Sequence, residues 1–267
     1  LEKKYADGKI VHNTLQTNGT LITSEWADFF AAENFLIGLS IDGPEHIHDT
    51  YRSSKAGAPS FRKVIAGLKN LLRSGAEFNT LTAVSKASEG HALEIYQFLK
   101  STGSRFMQFL PVVEKIKFQV NANGRQMRNL RPSMVPPATD SDGFGLWSVS
   151  DIGYGKFLCE IFDWWVRNDV GSYFVGAFDA TLASWCGLSP GTCSFCETCG
   201  GNLVVEHNGD VYVCDHFVYP EYRLGNIATS SLKDLAGSQQ SVAFGIDKRN
   251  SLPAQCRRCE WVRLCHG

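Results

Sequence analysis

The placement of cysteine constrains this chain more than any other feature. Of nine cysteines in 267 residues, six form two tight triplets, Cys193-x2-Cys196-x2-Cys199 and Cys256-x2-Cys259-x5-Cys265, and Cys214 follows the first. Thiolates bind metal only where several sulfurs converge, and two-residue gaps let one loop wrap a single centre. The spacing therefore predicts metal sites, with iron–sulfur clusters first. Zinc is the competitor, because paired C-x2-C segments close tetrahedral structural sites. A lone zinc ribbon, however, does not explain the second triplet.

A hydrophobic content of 43% lets the chain bury a core as one large domain plus a smaller module. Lys+Arg 26 against Asp+Glu 27 gives 26 − 27 = −1, so no global field draws in nucleic acid or an anionic membrane. No apolar run approaches bilayer-spanning length, and the opening residues lack the basic-then-apolar pattern of a signal peptide. These features predict a cytoplasmic protein whose clustered thiols serve metal rather than disulfides.

The first half alternates strand-like and helix-like segments, the pattern of βα units around a parallel sheet. Lys9 to Leu15 predicts a strand ending at the Asn18-Gly19 turn, and a helix-like stretch runs from Ser24 to about Glu33. Phe35 to Ile41 is an apolar run suited to a strand buried on both faces, closed by Asp42-Gly43-Pro44. After Ser60, a good N-cap, residues Phe61, Val64, Ile65, Leu68, Leu71 and Leu72 form a helical stripe that Gly75 ends. Glu77 to Ser85 and Arg105 to Glu114 read as strands around a helix from His91 to Lys100. Lys115 to Ser150, rich in Pro, Gly and Asn, reads as one long loop of the kind that covers binding sites. Helices follow from about Gly155 to Val170, with Phe157, Ile161, Trp164 and Trp165 inward, and from about Phe178.

In the last third, Leu203-Val-Val-Glu-His, Asn208-Gly209 and Asp210-Val-Tyr-Val-Cys214 predict a hairpin with the tight turn that Asn-Gly favours. Such a hairpin returns Cys214 toward Cys199. Cys159 and Cys186, beside aromatic residues in helix-like segments, read as core, whereas His46 and His48 lack a third partner nearby and read as solvent-facing. Thr17-Asn18-Gly19 and Ser40-Ile41-Asp42 are ordinary turn sequences, yet both fall at carboxyl ends of predicted parallel strands, where α/β folds hold ligands. Asp215 stands beside Cys214 as a turn residue or a general base.

Gln16-Thr-Asn-Gly-Thr-Leu-Ile, Gly38-Leu-Ser-Ile-Asp-Gly-Pro, Phe106-Met-Gln-Phe, the run from Cys199-Gly through Glu206-His-Asn-Gly-Asp-Val-Tyr-Val-Cys-Asp-His-Phe-Val, Arg223-Leu-Gly-Asn-Ile and Cys256-x2-Cys-x-Trp-x3-Cys occur in one order. Together they resemble the anaerobic sulfatase-maturating enzymes, radical S-adenosylmethionine proteins with a cysteine-rich SPASM domain. The resemblance implies a partial (β/α)6 barrel over residues 1–175 and an auxiliary-cluster SPASM domain over 176–267. It also implies a 5′-deoxyadenosyl radical that takes a β-hydrogen from a cysteine or serine of a nascent sulfatase, yielding Cα-formylglycine. By position, Gln16, Thr17, Asn18, Gly19, Ser40 and Asp42 match the S-adenosylmethionine site. Cys193, Cys199 and Cys214 match ligands of one auxiliary 4Fe-4S cluster, and Cys256, Cys259 and Cys265 match those of a second. Asp215 matches the base. Cys196 has no assigned role, which leaves it open beside Cys193.

The same likeness implies three 4Fe-4S clusters in the intact enzyme, the radical-generating one held by a C-x3-C-x2-C run expected before Leu1. The remaining auxiliary ligands are expected after Gly267, and the electron donor is a flavodoxin or ferredoxin. Two alternatives remain at this point: another SPASM enzyme that crosslinks or epimerises a peptide, and a zinc-stabilised interaction module without catalysis.

Overall fold

The computed structural model describes residue 8 and residues 10–114, 118–120, 126–128 and 144–267. It divides into two compact units, Leu1–Gly176 and Ala177–Gly267.

In the first unit the elements run β1 (Thr14–Thr17), α1 (Ser24–Ala32), β2 (Leu36–Ser40), α2 (Glu45–Tyr51), α3 (Phe61–Ser74), β3 (Phe78–Val84), α4 (Ala92–Ser101) and β4 (Phe106–Pro111). Then come β5 (Phe118–Val120), β6 (Gln126–Arg128), α5 (Asp151–Asn168) and β7 (Phe174–Val175). Five strands make one sheet in the order β1-β2-β3-β4-β7, every pair parallel, as the βα alternation requires. Ile37 and Leu39, on one face of β2, are fully buried, while Leu36 and Gly38 on the other face are half-buried, so the strand is less evenly covered than the apolar run predicts. The predicted long loop contains the antiparallel pair β5–β6, and the rest of it up to residue 143 lies outside the described residues.

Helix α3 buries Val64, Gly67, Leu68 and Leu71 and stops at Gly75, whose φ of 72° is the left-handed C-cap geometry. Leu72 lies off this stripe, half exposed, because a helix turns about 100° per residue and position 72 follows 71 out of the core. Ser60 does not cap the helix with its side chain. Asp49 does so instead, its Oδ1 accepting from the backbone N–H groups of Ser60 and Phe61 at 2.9 Å each. In α5, capped by Ser150, Phe157, Ile161 and Trp165 are buried, while Trp164 faces outward. Tyr96 and Lys100 on α4 both donate to buried Asp169, just past α5, at 2.9 Å and at 2.7 and 2.8 Å. Burial and that carboxylate together push the Tyr96 hydroxyl pKa well upward.

The second unit holds α6 (Gly176–Trp185), β8 (Val204–Val205), β9 (Asp210–Tyr212), β10 (Arg223–Asn226), α7 (Leu232–Ala236), α8 (Gln239–Asn250), α9 (Ala254–Arg257) and α10 (Val262–Cys265). Its antiparallel sheet has the order β10-β9-β8. The hairpin predicted at Asn208-Gly209 is present, with a wider turn than expected. Gly209 donates its N–H to the Glu206 carbonyl at 2.8 Å, and of the two residues only Gly209 has positive φ, 85°. A single left-handed residue suits a longer hairpin loop ending in a bulge rather than a two-residue turn, which needs two. Val211 and Val213 are buried beneath the sheet. Cys159 and Cys186, expected in the core, are both exposed. Neighbouring aromatic residues did not bury them: Cys159 lies on the outer face of α5, and Cys186 lies in the turn just past α6.

Candidate active site

Parallel pairing sets Gln16 against Gly38 and Thr17 against Leu39, so the carboxyl ends of β1 and β2 lie side by side. The structure thereby brings together Gln16, Thr17, Asn18, Gly19, Ser40 and Asp42. Thr17 Oγ1 accepts from the Gly19 N–H at 3.1 Å, and Asn18 Oδ1 accepts from the N–H and hydroxyl of Thr20 at 3.1 and 2.9 Å. These bonds fix the turn. Gly19 is required there: its φ is 73°, and a Cβ on it would lie 2.4 Å from Leu39 Cδ1.

Asp42 is buried and fully engaged. Its carboxylate accepts the Ala83 N–H at 2.8 Å and both Nε and Nη2 of Arg52. The Asp42 N–H donates to His48 Nδ1 at 3.2 Å, so the proton of this imidazole sits on Nε2 and is donated to Ser60 Oγ at 3.1 Å. Ser60 in turn donates to the Arg52 carbonyl at 2.7 Å. His48, expected at the surface, is thus fully buried as a neutral link in a chain that positions Asp42 and Arg52. Burial is the main cause of its lowered pKa, with Asp42 opposing and Arg52 adding to the effect.

A cavity of about 650 Å³ opens past β3 and β4, lined among others by Lys86, Pro111, Ser150 and Tyr154. Its position at the carboxyl ends of parallel strands is where α/β sheets bind ligands. Tyr154 donates to the Phe109 carbonyl at 2.9 Å, and burial raises its hydroxyl pKa.

His46 is exposed. His91 Nδ1 and His46 Nε2 stand 2.8 and 3.5 Å from the two oxygens of Glu94, a partner the sequence did not reveal because it lies on α4. One carboxylate between two imidazoles is a complete surface ion-pair arrangement.

In the second unit all cysteines are free thiols. The hairpin brings Cys214 close enough to Cys193 for the two to interact electrostatically. The Cys214 thiol pKa is pushed up, most by burial and further by Asp215, whose Oδ1 lies 3.3 Å from the sulfur. Asp215 itself is exposed at the start of a short 3₁₀ turn. The Cys196 thiol donates to the Thr192 carbonyl at 3.4 Å. In the second triplet Cys256 lies on α9, its sulfur 3.6 Å from where a Cβ on Gly267 would stand. The rings of Trp261 and Trp185 lie 6.2 Å apart, tilted by 31°, with the Arg263 guanidinium 5.3 Å over the Trp185 ring.

Among the described residues, the one group of three or more metal-ligating side chains with donor atoms within 4.8 Å of one another is His46, His91 and Glu94. The thiolate donors of the second unit suit both structural zinc and iron–sulfur clusters.

Residues 193–260 match the SPASM family, described as an iron-sulfur cluster-binding domain, a stretch that stops short of Cys265. Over its whole length the chain is 44% identical to the serine-type anaerobic sulfatase-maturating enzyme of Bacteroides thetaiotaomicron, covering 63% of that protein. It is 34% identical over 99% of its length to the cysteine-type enzyme of Clostridium novyi, covering 66%. The solved structure of native anSMEcpe with bound AdoMet and Cp18Cys peptide superimposes with a TM-score of 0.83 at 30% identity, over all of this chain and 68% of that one. The chain belongs to the anaerobic sulfatase-maturating enzymes. It spans 63 to 66% of the length of the curated family members it matches. The match to an iron-sulfur cluster-binding domain decides between the metals left open by the cysteines, in favour of iron–sulfur over zinc. No helix among the described residues is long and apolar enough to cross a membrane.

Proposed function

We propose that the intact protein, working in the cytoplasm, oxidises the active-site cysteine or serine of a nascent sulfatase to Cα-formylglycine. The observation that carries this reading is the 44% identity maintained over the entire chain with a serine-type maturating enzyme. Serine-type relatives match at 44% and 32% identity and cysteine-type relatives at 34% and 32%, so the ranges overlap and both substrates belong in the test.

S-adenosylmethionine and the 4Fe-4S clusters, when bound, supply the hydrogen-abstraction and one-electron chemistry. The chain's own residues bind, orient and move the proton. Gln16, Thr17, Asn18 and Gly19 present their turn to S-adenosylmethionine, and Ser40 borders it. Asp42 acts through Arg52 and the Ala83 amide, since its oxygens are already occupied. Cys193, Cys199 and Cys214 hold one auxiliary cluster, and Cys256, Cys259 and Cys265 contribute to the other. The thiol bond from Cys196 to Thr192 supports Cys193 as the ligand of the pair. Asp215, exposed beside Cys214, takes the substrate side-chain proton. A reduced flavodoxin or ferredoxin supplies the starting electron.

The test is mass spectrometry of sulfatase-motif peptides carrying cysteine or serine, incubated with full-length reconstituted protein, S-adenosylmethionine and a reductant. Aldehyde product with 5′-deoxyadenosine is expected. A thioether or epimer in place of aldehyde overturns the reading. Removing a general base costs roughly 10²–10⁴ in rate, so Asp215→Asn should lower kcat on that scale while S-adenosylmethionine binding persists.

A further inference from the structure

Helix α8 turns one narrow face toward the first cysteine triplet. Ser241 and Gly245 on that face are buried. Against them, the Cys199 N–H donates to the Gly245 carbonyl at 2.9 Å, and a Cβ at Gly245 would stand 2.4 Å from the Cys199 carbonyl oxygen. Only glycine lets the helix approach the ligand strand so closely.

Three residues further along the same helix, Lys248 Nζ donates to the carbonyls of Cys196 at 2.6 Å, Ser194 at 2.8 Å and Cys193 at 3.3 Å. An ammonium has three N–H donors, and all three are spent on one four-residue turn. Carbonyl oxygens aimed at a common point repel one another unless a cation stands there. The turn from Cys193 to Cys196 is built around this one, which comes from more than fifty residues away. Arg249 adds a looser contact to Glu197 on the same loop, 3.7 Å.

We propose that Lys248 is the positioning residue of the first auxiliary cluster: it folds the Cys193–Cys196 turn and sets a fixed positive charge beside the centre that raises its reduction potential. The inference rests on the cluster reading of these cysteines. Thiolate-ligated clusters carry net negative charge, and reduction adds more, so a nearby cation favours the reduced form, and hydrogen bonding and local charge are the established levers on such potentials.

Iron content and EPR-monitored redox titration of the full-length, anaerobically reconstituted protein test this with three variants. Lys248→Arg keeps the charge and several donors and should retain the iron complement and wild-type potentials. Lys248→Gln keeps donors without charge and should retain iron while one cluster's potential moves negative. Lys248→Met keeps neither and should lose the iron of one cluster. Full iron loading with unshifted potentials in Lys248→Met overturns the proposal, as does a Lys248→Arg protein that behaves like Lys248→Met. Neither readout involves a sulfatase. A protein that shows these shifts but makes no aldehyde overturns the proposed function alone, and one that makes aldehyde and is indifferent to Lys248 overturns this inference alone.

Discussion

Glycine to alanine in a helix should have opposite effects at two positions of the first unit. Gly155, inside α5, has nothing within 4 Å of where a Cβ would go, so alanine there gains the full helix-propensity difference, about 0.8–1 kcal/mol. Gly67, inside α3, gains the same but places its Cβ 2.2 Å from the Gly19 carbonyl oxygen, 3.2 Å from the Gly19 carbonyl carbon and 3.3 Å from Ile22 Cβ. A carbon-to-oxygen contact needs more than an ångström beyond that. Gly19 cannot yield easily, because its left-handed turn is already seated on Leu39. Overpacking against backbone costs about 3 kcal/mol, the upper end of the usual range. Subtracting the propensity gain leaves Gly67→Ala destabilised by about 2 kcal/mol. At about 2–4 °C per kcal/mol for a unit of this size, Gly155→Ala should melt a few degrees higher and Gly67→Ala about 4–8 °C lower. Thermal unfolding by circular dichroism measures both. Because Gly19 borders the proposed S-adenosylmethionine site, Gly67→Ala should also weaken S-adenosylmethionine binding, read by calorimetry. A Gly67→Ala protein as stable as Gly155→Ala would refute the close packing of α3 on the β1 turn.

Two further perturbations probe the buried polar groups. Lys100→Met leaves the Asp169 carboxylate buried without its cation, and breaking such a pair costs about 3–5 kcal/mol, which the same melting assay would show as a large loss. His48 carries a pKa lowered by burial, so the unfolded chain binds its proton more readily than the folded one. The stability it contributes is therefore complete above the ordinary histidine value of 6.5 and falls away as pH drops from there toward the lowered folded value. Urea midpoints between neutral and mildly acidic pH should fall in the wild type and fall less in His48→Gln, whose side chain does not titrate; equal slopes would discard the neutral-imidazole assignment.

The parts legible in the sequence were those written in local periodicity or in spacing. The α3 stripe and its Gly75 stop, the apolar β2 and the Asn208-Gly209 hairpin each depend on residues a few positions apart. The same locality makes the cysteine triplets readable, because a metal loop is short. What the sequence hid depends on partners brought in by the fold. Ser60 looks like an N-cap, but its hydroxyl is claimed by His48 and Arg52, so Asp49 from the preceding helix caps α3 in its place. His48 looks like a surface residue beside His46, yet two residues, about half a turn of α2, separate a position facing solvent from one facing the sheet.

The cysteine unit shows the same division at closer range. The C-x2-C spacing announces which sulfurs are available, but spacing alone does not choose between Cys193 and Cys196, since both lie on one turn. On the proposed reading the choice falls to groups outside the triplet. Cys214, returned by the hairpin, interacts with Cys193. The Thr192 carbonyl accepts from the Cys196 thiol, and Lys248 Nζ donates to the carbonyls of the turn. A short serine-capped helix, α8, delivers that lysine. Its start is marked by Ser238, whose side chain accepts from the Ser241 N–H, and its docking face by the small residues Ser241 and Gly245. Those were the only local signs, and they point to a close helix contact rather than to a cluster. On the proposed reading, sequence spacing supplies the ligands of the loop and the helix that holds the loop's carbonyls sets their aim.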